Sequence, residues 1–150
     1  MKIRRATVFD FSFILALLAQ MHKEAEFELS SIDPIKFSES VLSTINSGVV
    51  FVAEEDNRII GSIGGIFSSD WWSSEIYLGD RWFYVYKKER KSRAAYMLVK
   101  EFIKAAKKSN MQLRLAHIFS GDIDRKDKFY DRLGLRKAGS HYVMEEDHGS

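Results

Sequence analysis

The chain of 150 residues contains no cysteine. This absence excludes disulfides, cysteine-ligated metal centres and a cysteine nucleophile. Proline occurs once, at Pro34, and no apolar run approaches the ~18 residues that a membrane-spanning helix needs. The first residues also lack the apolar stretch of a signal peptide. We therefore expect a cytoplasmic protein with no membrane partner.

Histidine is also scarce. The four histidines show neither HxH nor HExxH spacing, so the sequence predicts no metal site. Apolar residues make up 45% of the chain and charged residues 29%, values typical of soluble globular proteins. Together with the length, this composition predicts a single domain over residues 1–150, with a frayed tail at 146–150.

The spacing of apolar residues predicts alternating strands and helices. Asp10 and Asp33 are expected to cap two helices, which end near residues 27 and 48. Two further helices are expected at 92–109 and 124–133, and strands at 3–6, 49–54, 58–67, 75–86, 112–119, 135–138 and 140–145. Gly79 suggests a β-bulge in the fourth strand. This order predicts an α/β (α+β) fold, with a mixed, mostly antiparallel sheet of six to seven strands flanked by about four helices.

Positive charge is concentrated in one stretch of the chain. Nine Lys and Arg residues, against two acidic ones, lie between Lys87 and Lys108, although the net charge of the whole chain is only +2. The stretch begins where a strand leads into a helix, and a helix N-terminus binds phosphate through its unpaired N–H groups. The pattern indicates a local anion site, and a solvated, lysine-rich helix start is the alternative interpretation.

Two short motifs have a family parallel. Arg90-Lys91-Ser92-Arg93-Ala94-Ala95 directly follows the strand 75–86, and Tyr130, Gly134 and Leu135 form the pattern Y-x-x-x-G-L at the end of a short helix. In these motifs, and in the order of its elements, the chain resembles the GCN5-related N-acetyltransferases (GNAT), including phage-type members. The family signatures are Q/R-x-x-G-x-G/A and Y-x-x-x-G-F. Arg93 replaces the central glycine of the first signature, and the asparagine usual before the second is absent.

The resemblance implies that the protein binds acetyl-coenzyme A as a co-substrate and needs no metal. The residues implied in pyrophosphate binding are Arg90, Lys91, Ser92, Arg93, Ala94 and Ala95. The backbone of Phe83, Tyr84 and Val85 is implied to pair with the pantetheine amides, as an added strand would.

Catalytic roles follow from the same resemblance. Tyr130 is implied as the general acid that protonates the leaving thiolate. A general base must deprotonate the incoming amine, and the candidates are Asp80, which the position on the strand favours, Glu75 and His117. Without a cysteine, transfer is expected by direct attack of the amine in a ternary complex.

The acceptor is left open as an amine of a small molecule or of a protein, and the assembly as a monomer or a homodimer. Trp71 and Trp72 are candidates for lining an acceptor pocket, although one core and one rim tryptophan is the commoner arrangement. Two alternatives to the enzyme remain at this stage. One is a catalytically silent binding module of the same fold. The other is nucleic-acid binding through the basic stretch 87–108, although such proteins are usually more basic overall.

Overall fold

The computed structural model describes residues 1–25, 30–116 and 123–144. Within these ranges the core is one five-stranded sheet in the order β1-β2-β3-β4-β5. The strands are β1 (Lys2–Arg5), β2 (Val49–Glu55), β3 (Arg58–Ser68), β4 (Tyr77–Val85) and β5 (Gln112–Arg114). The first four pair antiparallel, and β5 joins β4 in parallel. The mixed, mostly antiparallel sheet is thus confirmed.

Among the described residues, four helices cover the two faces of the sheet. They are α1 (Phe11–Glu24), α2 (Pro34–Ser47), α3 (Ala94–Lys108) and α4 (Ile123–Arg132). One apolar cluster joins α1 and α2 to the sheet and contains Ile14, Leu17, Leu18, Val41, Val50, Val52, Trp82 and Tyr84. The other joins α3 to the opposite face and contains Val49, Phe51, Ala53, Ile60, Ile63, Leu78, Val85, Ala94, Leu98, Val99, Phe102 and Ala106. None of the helices described is long and apolar enough to cross a membrane.

Local sequence sets several of these boundaries. The Asp33 carboxylate accepts the N–H groups of Ile35 and Lys36 and so caps α2 as expected. Asp10 behaves differently: its carboxylate accepts the Thr7 N–H at 2.8 Å and is paired with Arg4. It therefore closes a capping box around the 3-10 turn Val8–Asp10 and does not cap α1 with its side chain.

A β-bulge lies in β4 at Arg81. Gly64 of β3 pairs with Trp82, and the next residue, Gly65, pairs with Asp80, so Arg81 has no partner on β3. The expectation of a bulge was right, but its position is two residues beyond Gly79. Glycine is needed at the partner site, because a Cβ on Gly64 would lie 2.4 Å from the Trp82 ring.

The bulge changes which way β4 side chains point. Arg81 donates from Nη1 to Thr44 Oγ1 on α2 at 2.8 Å. Trp82 belongs to the apolar cluster that joins α1 and α2 to the sheet. Two consecutive side chains thus face α1 and α2. Asp80 lies two residues after Leu78, which packs with α3, so regular alternation directs Asp80 to the α3 face.

The C-terminal strands are not found. Residues 135–144 form no strand, and Tyr142 and Met144 are about nine-tenths exposed. The prediction of strands at 135–138 and 140–145 is therefore wrong for these residues, and the described sheet has five strands instead of six to seven. The apolar alternation of the segment resembles a strand, but it meets no described sheet edge. The residues 26–29, 117–122 and 145–150, which include predicted element ends and the tail, lie outside the described residues.

Candidate active site

At the β5 edge of the described sheet, β5 pairs with only the first part of β4. β4 pairs with β5 only from Tyr77 to Gly79. From Asp80 to Val85, β4 pairs with β3 alone among the described residues. On the β5 side, no described residue pairs with this part of β4, and we call this edge of β4, from Asp80 to Val85, the β4–β5 split.

Backbone groups of β4 line the split. The Tyr86 N–H donates to the Ile60 carbonyl on β3, and successive residues of a strand direct their N–H and C=O groups to opposite sides. Phe83 and Val85 therefore present their backbone groups to the split, whereas those of Tyr84 face β3. Of the three residues whose backbone is implied in pantetheine binding, Phe83 and Val85 therefore face the split and Tyr84 does not.

The connection from β4 to α3 leaves backbone N–H groups unpaired. Ser92 donates its hydroxyl to the Glu89 carbonyl at 2.6 Å and accepts the Ala94 N–H at 3.2 Å. The N–H groups of Arg93, Ala95 and Tyr96 have no hydrogen-bond acceptor among the residues described. Three such N–H groups at the positive end of a 15-residue helix are the kind of arrangement that binds anions.

Arg93 occupies the position of the signature glycine without backbone strain. Its φ is −86°, in a region that any residue adopts, so the missing glycine causes no backbone strain. The guanidinium lies 5.3 Å from the centre of the Tyr96 ring and is exposed at the loop surface, as is Lys91. The charges of Lys91 and Arg93, together with the N–H groups at the start of α3, thus fit a pyrophosphate.

Arg90 has a different position from the one its motif implies. Its Nε donates to the Val85 carbonyl at 3.0 Å, and its Nη2 donates to Glu24 at the end of α1 at 3.1 Å. The guanidinium also lies over the Tyr84 ring at 5.3 Å. These contacts hold the side chain against the protein, so Arg90 braces the loop to β4 and α1. Sequence reasoning missed Glu24, since no pattern connects two residues 66 positions apart.

Asp80 lies where the split begins. Its Oδ1 accepts the Ala116 N–H at 3.1 Å, just beyond the end of β5. Burial raises the pKa of this carboxyl to about 6, although the Ala116 hydrogen bond favours the ionised form. A carboxyl with this pKa is largely ionised at neutral pH and still able to take a proton.

Tyr130 lies on α4, which packs on β4 through the ring of Phe129. The ring of its neighbour Phe129 stacks on Phe83 of β4 at 6.2 Å between centroids and meets the Tyr130 ring edge-on at 5.3 Å. Burial and then the charge of Asp80 raise the pKa of the Tyr130 phenol, which keeps it protonated at neutral pH. The charge of Asp80 therefore acts on the Tyr130 phenol.

The remaining candidates lie elsewhere. Glu75 is exposed in the loop before β4, and His117 is outside the described residues. Trp71 and Trp72 are both exposed, at 92% and 68%, so neither is a core residue. In the described part of the chain, no group of His, Asp and Glu residues is arranged to hold a metal ion.

Comparison with known families gives one clear match. Residues 46–136 match the model of the acetyltransferase (GNAT) domain. This range runs from the end of α2 to beyond α4 and includes both motifs of the site. No curated protein matches the sequence.

Solved structures share the fold at low sequence identity. A predicted acetyltransferase from Clostridium acetobutylicum, solved with acetyl-CoA, is 15% identical, with 96% of this chain and 95% of that chain covered and a TM-score of 0.75. An aminoglycoside 6'-N-acetyltransferase from Acinetobacter haemolyticus is 14% identical, with 98% and 99% covered and a TM-score of 0.72. A ribosomal-protein-alanine N-acetyltransferase from Brucella melitensis is 15% identical, with 97% and 100% covered and a TM-score of 0.67.

Proposed function

Because the chain belongs to the GNAT acetyltransferase family, an acyl-CoA-dependent group of N-acyltransferases, we propose that it acetylates a primary amine by direct attack in a ternary complex. The observation that supports this proposal best is that Asp80, at the start of the β4–β5 split, is close enough to Tyr130 for its charge to raise the pKa of the phenol. Similar folds include enzymes named for aminoglycoside and for ribosomal-protein acceptors. The acceptor is accordingly an amine of a small molecule or of a protein.

Two parts of this chain would hold acetyl-CoA, which supplies the acetyl group as an activated thioester. The N–H groups at the start of α3, with Lys91 and Arg93, would bind its pyrophosphate. The open backbone groups of Phe83 and Val85 would pair with its amides. The Val85 carbonyl already accepts a hydrogen bond from Arg90 Nε, so the Val85 N–H is the group left to bond to an amide of the cofactor.

Asp80 serves as the general base in this proposal. Only a neutral amine is nucleophilic, and an ammonium ion must lose a proton before or during attack. The Asp80 carboxylate takes that proton, directly or through a water molecule. Its pKa of about 6 leaves it ionised at neutral pH and more basic than an ordinary aspartate.

Tyr130 serves as the general acid. A departing thiolate needs a proton, and the phenol is protonated because burial and Asp80 hold its pKa above the ordinary value. Once Asp80 has taken a proton, its negative charge is lost and the Tyr130 pKa falls. Proton uptake at one residue thereby makes proton release at the other easier.

The test is coenzyme A release, followed with a thiol reagent, in the wild type and in Asp80→Asn. The amide keeps the shape and the hydrogen bond from Ala116 but cannot take the proton. We expect turnover to fall about 100-fold or more while acetyl-CoA affinity changes little. Acetyl-CoA binding without amine-dependent thiol release in the wild type would instead support a silent binding module.

A further inference from the structure

The bulge in β4 decides to which face of the sheet Asp80 points. In a regular strand, residues two apart share a face, so Asp80 would lie with Trp82 among the residues that pack against α1 and α2. Arg81 is the extra residue between them, and it lets Asp80 share the α3 face with Leu78 instead. There Asp80 Oδ1 accepts the Ala116 N–H at 3.1 Å. The position of the proposed base therefore depends on the bulge.

Neither neighbouring strand holds Arg81 in the described part of the chain. It has no partner on β3, because Gly64 and Gly65 pair with the residues on either side of it. On the other side, the pairing of β4 with β5 ends at Gly79, two residues earlier. Strand register is specified only weakly where glycines replace side chains. A further contact is therefore needed to fix the bulge at this residue.

The side chain of Arg81 supplies such a contact to α2. Its Nη1 donates to Thr44 Oγ1 at 2.8 Å and, at 3.4 Å, to the Ser40 carbonyl. The Thr44 hydroxyl in turn donates to that carbonyl at 2.6 Å. Thr44 is fully buried, and a buried hydroxyl is stabilised by keeping its hydrogen-bond partners. These bonds fasten the bulge residue to a helix.

The charged and titratable groups around Asp80 are not part of this contact, except for Arg81 itself. Tyr130 on α4 is affected by the Asp80 charge. On β5, Arg114 is paired with a carboxylate of the loop before β4. The β3 partner of Asp80 is a glycine, and α3 contributes apolar residues to this face. Since Thr44 is uncharged, a substitution there removes the contact without changing any of these charges.

We propose that Arg81 and Thr44 are positioning residues for the acetyl transfer: their hydrogen bond fixes the bulge, and the bulge holds Asp80 on the α3 face at the start of the β4–β5 split. Both act through Asp80. Without the hydrogen bond the bulge shifts, and Asp80 leaves the Ala116 N–H. The residues after the bulge keep their pairing with β3, so the edge that would pair with the cofactor is retained. This inference rests on the proposed function, in which Asp80 is the base.

The contact is tested with Thr44→Val, Thr44→Ser and Arg81→Met in the full chain. Valine keeps the shape of threonine but cannot accept the hydrogen bond from Arg81, whereas serine can. Methionine at residue 81 keeps much of the side-chain length without the donors or the charge. Lys36→Met, at an exposed lysine of α2, is the control for the loss of a positive charge.

Hydrogen exchange at the Ala116 amide, followed by NMR, reports the position of Asp80 without any substrate. The hydrogen bond to the Asp80 carboxylate slows this exchange. We expect exchange to be about tenfold faster in Thr44→Val and in Arg81→Met. It should be unchanged in Thr44→Ser and in Lys36→Met.

Turnover of acetyl-CoA is measured with a lysine peptide and with glucosamine as the probe amines. We expect kcat to fall about tenfold in Thr44→Val and in Arg81→Met, while the dissociation constant of acetyl-CoA changes by less than about twofold. The inflection of the rate near pH 6 should move to lower pH in both variants, because a carboxyl released from its buried position is better solvated. Thr44→Ser should keep the wild-type rate and inflection.

The outcomes separate this inference from the proposed function. Wild-type exchange at Ala116 in Thr44→Val, or exchange in Thr44→Ser as fast as in Thr44→Val, overturns the role of the hydrogen bond. Faster exchange with an unchanged rate and pH profile overturns the positioning of a base by these residues. Faster exchange in Thr44→Val and Arg81→Met alone, with no acetyl transfer by the wild type, supports the contact that positions Asp80 and overturns the proposed enzyme activity.

Discussion

At the scale of single residues, burial and nearby charge shift the pKa values of the two candidate catalytic groups. Asp80 and Tyr130 are individually unremarkable in sequence: an acid on a strand and a tyrosine on a short helix. Their shifted pKa values arise because both are partly buried, and the Tyr130 shift also reflects the negative charge of Asp80. The sequence could indicate both residues through motif position. It could not show that they interact, because their separation depends on how α4 packs on β4.

The pH profile should report Asp80. Its pKa of about 6 means that the base is protonated, and therefore inactive, in more acidic solution. We expect kcat/KM for acetyl-CoA to fall as the pH drops below about 6, and the inflection to be absent in Asp80→Asn. Initial rates between pH 5 and 9 at saturating amine test this. An unchanged inflection in the variant would assign it to another group.

The variant Tyr130→Phe tests the role of the Tyr130 hydroxyl separately from the packing of its ring. The ring, and with it the contact to Phe129, is kept, and only the hydroxyl is removed. We expect kcat to fall about tenfold or more with little change in the dissociation constant of acetyl-CoA or in Tm. Normal turnover with a lower Tm would show that the hydroxyl has a structural role instead.

At the scale of elements, the loop between β4 and α3 shows what a motif can and cannot predict. The composition of the segment predicts an anion site at a helix start, and the unpaired N–H groups of Arg93, Ala95 and Tyr96 agree with it. The role of each arginine is not predictable in the same way. Arg90 turns back to Val85 and Glu24, a choice that depends on where the distant end of α1 lies.

The two arginines should therefore respond differently to alanine substitution. Arg93→Ala removes an exposed charge beside the helix start, and we expect coenzyme A to bind about fivefold more weakly at an unchanged Tm. Arg90→Ala leaves the Val85 carbonyl without its donor and releases Glu24, so Tm should fall by roughly 2–4 °C. Calorimetry and thermal unfolding measure the two effects, with Lys88→Ala as the control for a general loss of positive charge. Identical responses of both variants would contradict the distinction.

At the scale of the whole molecule, the element order and the assignment of apolar faces follow from sequence periodicity. The two core clusters contain apolar residues from one side of each of α1, α2 and α3, whereas Phe13 and Leu42, which the periodicity assigns to the same sides, are exposed. The β4–β5 pairing, which ends at Gly79 among the described residues, could not be predicted, and neither could the position of the bulge, whose partner glycines lie on β3. The segment 135–144 has alternating apolar residues but forms no strand, because such residues make a strand only where they can pair with a sheet edge.

The Asp80 carboxyl should lower the stability of the entire fold at neutral pH. Asp80 has a pKa of about 6 in the folded protein, against the ordinary value of 3.8 that it has in the unfolded chain. As the pH rises from about 4 to about 6, the unfolded chain releases this proton before the folded one does, and the free energy of unfolding falls. Asp80→Asn cannot ionise and keeps the Ala116 hydrogen bond, so it should avoid that loss. We expect the variant and the wild type to have similar Tm values at pH 4, with the variant more stable by an increasing margin up to about pH 6 and a constant margin above it. Thermal unfolding across this range tests the expectation, and Asp56→Asn is the control for loss of an exposed charge. A variant less stable than the wild type at pH 7 would show that the ionised carboxylate stabilises the fold.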